Sequence, residues 1–152
     1  MATEGMFCTF FLDDYFCGIE VERVQEVIRQ QTMTRIPLAP SRIRGLINLR
    51  GQIVTAIDPR RQLGLAPRPA DREPMNVVVR CEDGAASLLV DEIDEVITVG
   101  GGTFAPAPHN IAEGMRGLLR GVHKLPGRLL LIVDLDALLR AAHHDAPAAA
   151  RT

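Results

Sequence analysis

The chain has 152 residues, 47% hydrophobic and 24% charged, and a net charge of −2 at pH 7, which describes one globular domain or two small modules sharing a core. With 17 basic residues against 19 acidic ones there is no polycation to neutralise a run of phosphates, so nucleic acid is not an expected partner. No apolar run reaches the roughly 18 residues of a membrane span, and "MATEGMF" lacks the basic-then-apolar order of a secretory leader, so the expectation is a cytoplasmic protein with no direct membrane insertion.

Short apolar runs broken by Gly, Pro or charge follow one another along the chain. "MFCTFFLDD" reads as a strand ending in the turn signal Asp13-Asp14, and "YFCGIEV" resumes after it. "VERVQEVI" can begin as one helical turn, with Val21, Val24 and Ile28 at helical spacing, but its end looks extended. "IPLAPSRI" holds two prolines and must be a connector. "GLINLR" and "QIVTAID" flank Gly51 as a hairpin. In "DPRRQLG", Asp58 can cap a helix, Pro59 suits its first position and Gly64 closes it.

"LAPRPADREP" is a Pro- and charge-rich loop, after which "MNVVVRCED", "ASLLVDEI" and "EVITV" read as strands. "GGGTFAPAPHN" reads as a flexible loop. "MRGLLRGVHKLPGRLLLIVD" reads as a second hairpin turning near Pro126-Gly127, and "LDALLRAA" as a final helix. Residues 143–152, "HHDAPAAART", are expected to be a frayed, disordered tail.

An internal echo organises these elements. "IEVERVQEVI" (Ile19–Ile28) aligns without gaps on "LLVDEIDEVI" (Leu88–Ile97), and Pro37 then falls opposite Pro106. "RGLI" (Arg44–Ile47) matches "RGLL" (Arg116–Leu119), and "GQIVTAIDPRRQL" matches "GRLLLIVDLDALL" (Gly127–Leu139). Four blocks in preserved order imply duplication of a strand-rich unit with one short helix after its last strand. Two small barrels packed together fit that pattern, because closing a sheet removes its exposed edges.

Chemistry is scarce. His109, His123, His143 and His144 have no metal-ligand spacing of the HExxH kind, and His143-His144-Asp145 lies beside an Ala-rich tail. Gly100-Gly101-Gly102 lacks the Lys-Ser/Thr pair of a phosphate loop, and no Ser sits in a GxSxG elbow. Asp58 and Asp134 look like a carboxylate pair, but each precedes a short helix and is explained by capping. Glu26 and Glu95 are equivalent repeat positions that suit solubility or a contact rim. Cys8, Cys17 and Cys81 are odd in number and lack a CxxC pair, so they read as small buried hydrophobes. No catalytic residue, cofactor site or metal site is expected.

What remains is a surface argument about "RGLINLRGQIVTAID". Alternation puts Leu46, Asn48 and Arg50 on one face of the strand, and Ile47 and Leu49 on the other. Arg50 can pin the hairpin tip or bridge the two barrels through its planar fork. It can equally anchor a partner protein, since Arg is enriched at hot spots. A pocket for a small molecule between the barrels is the competing class; the low aromatic content, 4%, and the lack of a convergent polar cluster count against it.

At these residues the sequence resembles a known family. "VERVQEVIRQQTMTRIPLAPSRIRGLINLRGQIVTAIDPRRQLG" is similar to the CheW family of bacterial chemotaxis coupling proteins, through VQEV, Ile36-Pro37, "RGLINLRG" and the "ID" that follows. "VDEIDEVI" and "GVHKLPGRLLLIVDLDALL" extend the likeness, so that it covers about Met6 to Leu139. The resemblance implies a mainly β fold of two linked five-stranded SH3-like barrels with short helices. They would form a single domain over 1–142, one barrel centred on about 15–70 and the other on about 75–140, and strand exchange between them is open.

It also implies a non-catalytic adaptor in a signalling array. The partners would be the regulatory domain of a CheA-type histidine kinase, the cytoplasmic tip of a chemoreceptor, and other CheW-like domains. Val24, Glu26, Gly45, Arg50, Gly51, Val77 and Val78 match segments the family uses for receptor or kinase contact. Among them Arg50 is the expected receptor residue, Gly45 and Gly51 would act through backbone shape, and the valines are divided between contact and core packing. Pro59 departs from the Leu frequent in the family after the Asp. With both barrels present and no kinase or receiver segment, a free-standing coupler is expected. The alternatives are a regulatory domain cut from a kinase, or a coupler in a motility or surface-sensing pathway.

Overall fold

The computed structural model describes residues 4–143 apart from 30, 83 and 112, and of 113 and 143 the backbone alone. The strand-rich reading holds, and each element starts and stops where turn chemistry dictates. β1 (Gly5–Leu12) and β2 (Tyr15–Glu20) form a hairpin across Asp13-Asp14. A single 3-10 turn over Val21–Arg23 leads into the extended β3 (Val24–Ile28), so the helical spacing in "VERVQEVI" lasts one turn only. β4 (Ile43–Leu49) and β5 (Gln52–Ile57) make the hairpin around Arg50-Gly51.

The short helix α1 (Pro59–Gln62) follows, capped by the Asp58 carboxylate, which accepts from the Arg60 N–H at 3.0 Å. β6 (Met75–Cys81), β7 (Gly84–Val90) and β8 (Glu92–Val99) come next, and the chain breaks between β7 and β8 at Asp91 rather than after Ile93. The Gly-rich segment is more ordered than its composition suggests: Gly101–Thr103 form a 3-10 turn, and β9 (Phe104–Ala105) pairs with β10 (Leu119–Leu125). The helical turn α2 (Glu113–Arg116) precedes β10; β11 (Arg128–Val133) and α3 (Leu135–His143) close the fold. Asp134 caps α3 through the Ala137 N–H at 3.1 Å. The expected tail, beyond 143, lies outside the described residues.

The strands fall into two sheets, in the orders β8-β1-β2-β11-β10-β9 and β3-β6-β7-β5-β4. Under the duplication β1 to β5 correspond to β6, β7, β8, β10 and β11, and the two orders then become the same order. The first two strands of each half sit in the sheet of the other half. The registers agree to the residue: Phe7↔Glu20 recurs as Asn76↔Leu89, a shift of 69, and Gly45↔Ala56 recurs as Gly121↔Ile132, a shift of 76. Both sheets contain one parallel pair, β2 with β11 and β7 with β5.

This geometry corrects one block of the sequence alignment. Arg44-Gly45 corresponds to Arg120-Gly121, because both glycines sit at the bulge of their hairpin; the likeness of "RGLI" to "RGLL" is a coincidence of spelling four residues out of step.

Three apolar clusters hold the pair of sheets together. Ile47, Leu49, Val54, Ala56, Val78 and Leu89 pack within the sheet of β3 to β7, and Phe7, Phe16, Val99, Leu130 and Ile132 within the other. The largest cluster draws on both sheets, with Phe10, Ile19, Leu88, Val122 and Val133, and adds Leu63, Leu138 and Leu139 from the ends of the two hairpin-following helices. Gln62 of α1 donates to the Leu138 carbonyl of α3 at 3.0 Å. Burying apolar area at about 25 cal/mol per Å² makes this shared core the main force joining the halves. Cys17 belongs to it, and burial pushes its thiol up to about 12, whereas Cys8 and Cys81 are only half-buried, against the expectation of three core cysteines.

Candidate interaction site

The β4–β5 hairpin presents its tip to solvent. Leu49 pairs with Gln52, leaving a two-residue loop in which Arg50 and Gly51 both take positive φ, +52° and +89°. That is the loop whose twist matches paired strands, and it explains a glycine at its second position. Asn48 stabilises it by accepting the Gly51 N–H at 2.9 Å. Arg50 therefore stands at the apex, 70% exposed, and its guanidinium donates to the carboxylate of Glu26, which is 23% exposed. Glu26 lies on β3, at the far edge of the sheet from β4, so the pair spans the seam where the sheet curls back on itself.

Gly45 has a different task. Its φ is +155°, and a Cβ there would lie 2.6 Å from the Thr34 carbonyl oxygen. Only a residue without Cβ lets the proline-bearing connector lie against β4, where Thr34 and Leu46 exchange backbone hydrogen bonds of 2.9 and 2.8 Å. Val24 is half-buried beside the bulge of β3 and packs on the shared core. Val77 and Val78 are fully buried in β6, so in this chain their side chains are core packing. Glu26 pairs with Val78 in the β3–β6 ladder, which ties that valine to the seam only through its backbone.

The sequence locates Arg50 and Gly51 at the hairpin tip, and the fold brings Glu26 of β3 against it; the charged junction between the halves has no such local signal. Asp91, at the β7–β8 break, accepts from Arg68 Nε at 2.7 Å, Arg60 Nη1 at 2.5 Å and the Asp13 N–H at 2.5 Å. Burial alone would raise its carboxyl, yet the Asp13 N–H with Arg68 and Arg60 holds it below the ordinary carboxylate value. Three charged side chains and the Asp13 N–H come here from separate segments, so no spacing in the sequence announces the cluster. The opposite junction has the polarity reversed. Arg23 pairs with Asp136 at 3.0 Å, and that hydrogen bond lowers the Asp136 carboxyl.

Among the described residues no three His, Cys, Asp or Glu side chains converge as a metal site, and no helix is long and apolar enough to cross a membrane. What the exposed surface offers is a rigid hairpin apex with a charge pair across a sheet seam, a shape suited to recognition by another protein.

The chain is similar to known proteins. The family model of the CheW-like domain matches residues 7–143. The chain is 30% identical to the chemotaxis protein CheW of Rhizobium meliloti over 135 residues, 88% of this chain and 86% of that one. It is 31% identical to the chemotaxis protein CheW of Bacillus subtilis over 122 residues, 80% and 78% of the two chains. The crystal structure of the scaffolding protein TtCheW from Thermoanaerobacter tengcongensis superposes with a TM-score of 0.76 at 27% identity, covering 86% of this chain and 88% of that one.

Proposed function

The chain belongs to the CheW family, and on that premise we propose that it is a non-catalytic adaptor of chemotaxis signalling. It couples the cytoplasmic tip of a chemoreceptor to the regulatory domain of a CheA-type histidine kinase, and it meets other CheW-like domains within an array. The observation that carries this reading is the Arg50–Glu26 pair, exposed at a rigid apex and spanning the sheet seam. An arginine so placed offers a planar fork to a partner while its backbone is already fixed, so little freedom is lost on binding. Val24 and Glu26 supply the neighbouring wall, Gly51 the turn and Gly45 the packing of the connector behind it. Val77 and Val78 support the same strands from inside. Each contact can be weak, because many linked copies supply avidity.

The test is calorimetric titration of the full chain with the cognate kinase regulatory domain and, separately, with a receptor tip fragment. Arg50→Asp is run beside the natural protein. Binding of both partners by the natural protein, with only the receptor step lost in the variant, is the expected result. Failure to bind either partner across the organism's kinases and receptors would overturn the adaptor reading.

A further inference from the structure

β4 carries outward-facing arginines at both ends, and only one of them is satisfied. Arg50 holds Glu26. Arg44, roughly 20 Å back along the strand by its rise per residue, is exposed and makes no hydrogen bond or ion pair among the described residues. Arg35 of the connector and Arg61 of α1 are exposed and unpartnered in the same sense. All three line one open cleft of about 530 Å³, whose remaining wall is the connector from Ile36 to Ser41 together with Ile43.

Arg44 and Arg61 also line an adjoining cleft of about 200 Å³, which adds Arg68 and Arg72. The carboxylate in that lining, Asp58, is buried and already engaged by the Arg60 N–H and by Arg68. Elsewhere Arg23, Arg60, Arg72, Arg120 and Arg128 are matched to acids, and Arg80 and Arg116 donate to backbone carbonyls. Three unmatched guanidiniums in one cleft therefore make a local positive field on a protein whose net charge is −2.

The rim of the cleft adds an apolar feature. Leu38 is fully exposed and has φ +65°, a conformation a bulky side chain adopts only when its surroundings impose it. The imposition is visible: Ala39 N–H donates to Ile36 O at 3.2 Å, Ile43 N–H donates to Pro40 O at 2.9 Å, and prolines stand at 37 and 40. The loop thus fixes a leucine outward beside three cations.

We propose that this cleft docks an acidic segment of a partner protein in which carboxylates flank an apolar side chain. The carboxylates meet Arg35, Arg44 and Arg61, whose planar forks donate to both oxygens of a carboxylate at once. The apolar side chain covers Leu38. A duplex nucleic acid is the poorer fit, since three cations fall short of the six to ten phosphate contacts typical of such complexes, and no aromatic ring lines the cleft for a base to stack on. The surface is distinct from the hairpin apex and lies at the other end of the same strand.

The experiment uses the full chain and a fluorescently labelled short peptide of alternating Asp and Glu around two leucines, read by anisotropy. A peptide with Asn and Gln in place of the acids, inorganic phosphate and phosphatidylserine vesicles are the comparison probes. The acidic peptide should bind with an affinity that falls as salt rises. The triple variant Arg35→Ser, Arg44→Ser, Arg61→Ser should weaken it by about tenfold or more, and Leu38→Gly by a smaller factor, both with unchanged thermal unfolding. Lys124→Ser with Arg140→Ser, cations outside the cleft, should leave it intact. Equal binding of acidic and neutral peptides, equal loss in the control pair, or binding to vesicles or phosphate without binding to the peptide would overturn the proposal.

Discussion

Glu26 stands on one edge strand of the five-stranded sheet and Arg50 on the loop that closes the hairpin at the opposite edge, and their side chains meet across the gap. In the other half of the duplication Pro126 occupies the place of Arg50 and Glu95, the counterpart of Glu26, is exposed; the hairpin there meets the edge strand through Arg128 and Asp94 instead, at 4.0 Å. The two copies share the registers of their hairpins and of their parallel pairs, yet the first loop residue is an arginine in one and a proline in the other. The divergence is chemical rather than architectural, which fits two halves that present different surfaces.

An ion pair this exposed contributes little to folding, about 0–1 kcal/mol. Arg50→Ala and Glu26→Ala should each shift the unfolding free energy by under about 1 kcal/mol in urea titrations. A double-mutant cycle should return a coupling of the same small size. A loss of several kcal/mol in either single variant would make the seam structural and would turn any binding defect into a secondary effect.

The two hairpin glycines should respond differently to alanine. At Gly45 the added methyl meets the Thr34 carbonyl, so the connector must shift, and the cost should be about 1–3 kcal/mol. At Gly51 nothing lies within 4 Å, and only the positive φ opposes the change, for about 1 kcal/mol. Hydrogen exchange at Leu46, which donates to Thr34, should quicken in the Gly45 variant and stay slow in the Gly51 variant.

Legibility in the sequence followed the range of the physics. Hairpins, caps and the repeat were readable because each depends on neighbours in the chain: a glycine between alternating runs, an aspartate before a helix. The repeat survived a misaligned block because strand order tolerates a slip that register does not. Strand exchange between the halves was open, because nothing local says which sheet β1 and β2 will join. The Asp91 cluster and the curl that brings Arg50 to Glu26 were unreadable for the same reason. Leu38 lies in a proline-bearing connector, where an exposed leucine is ordinary until its backbone angle is known.

Asp91→Ala should be the most damaging charge deletion at the junction. It leaves Arg60 and Arg68, both largely buried, without their carboxylate, at a cost of about 3–5 kcal/mol. Because the folded carboxyl titrates below its ordinary value, its contribution is complete above the unfolded value of about 3.9 and is lost as pH falls through the lower folded value. Unfolding free energies followed downward from about pH 5 should therefore fall in the natural protein and show a shallower decline in Asp91→Asn.

His123 gives the opposite half of the pH range. It replaces Ile47 of the other unit, fully buried between the rings of Phe7 and Phe104, whose centroids lie 5.9 and 5.4 Å away. Nδ1 shares a hydrogen bond of 2.7 Å with the Thr103 hydroxyl, while Nε2 has no partner among the described residues. Burial therefore disfavours the cation and lowers the proton affinity of the ring. The unfolded chain takes up this proton near the ordinary value of about 6.5, before the folded chain does. Stability should be complete above that pH, decline as pH falls toward the lower folded value, and level off beneath it. His123→Leu removes the titrating group and lets an apolar side chain fill the site as Ile47 does in its twin. Urea titrations between about pH 5 and 8 should show the decline in the natural protein and a flatter profile in the variant, with the variant the more stable at the acid end. An unchanged slope in His123→Leu would assign the dependence to other groups and leave His123 as packing alone.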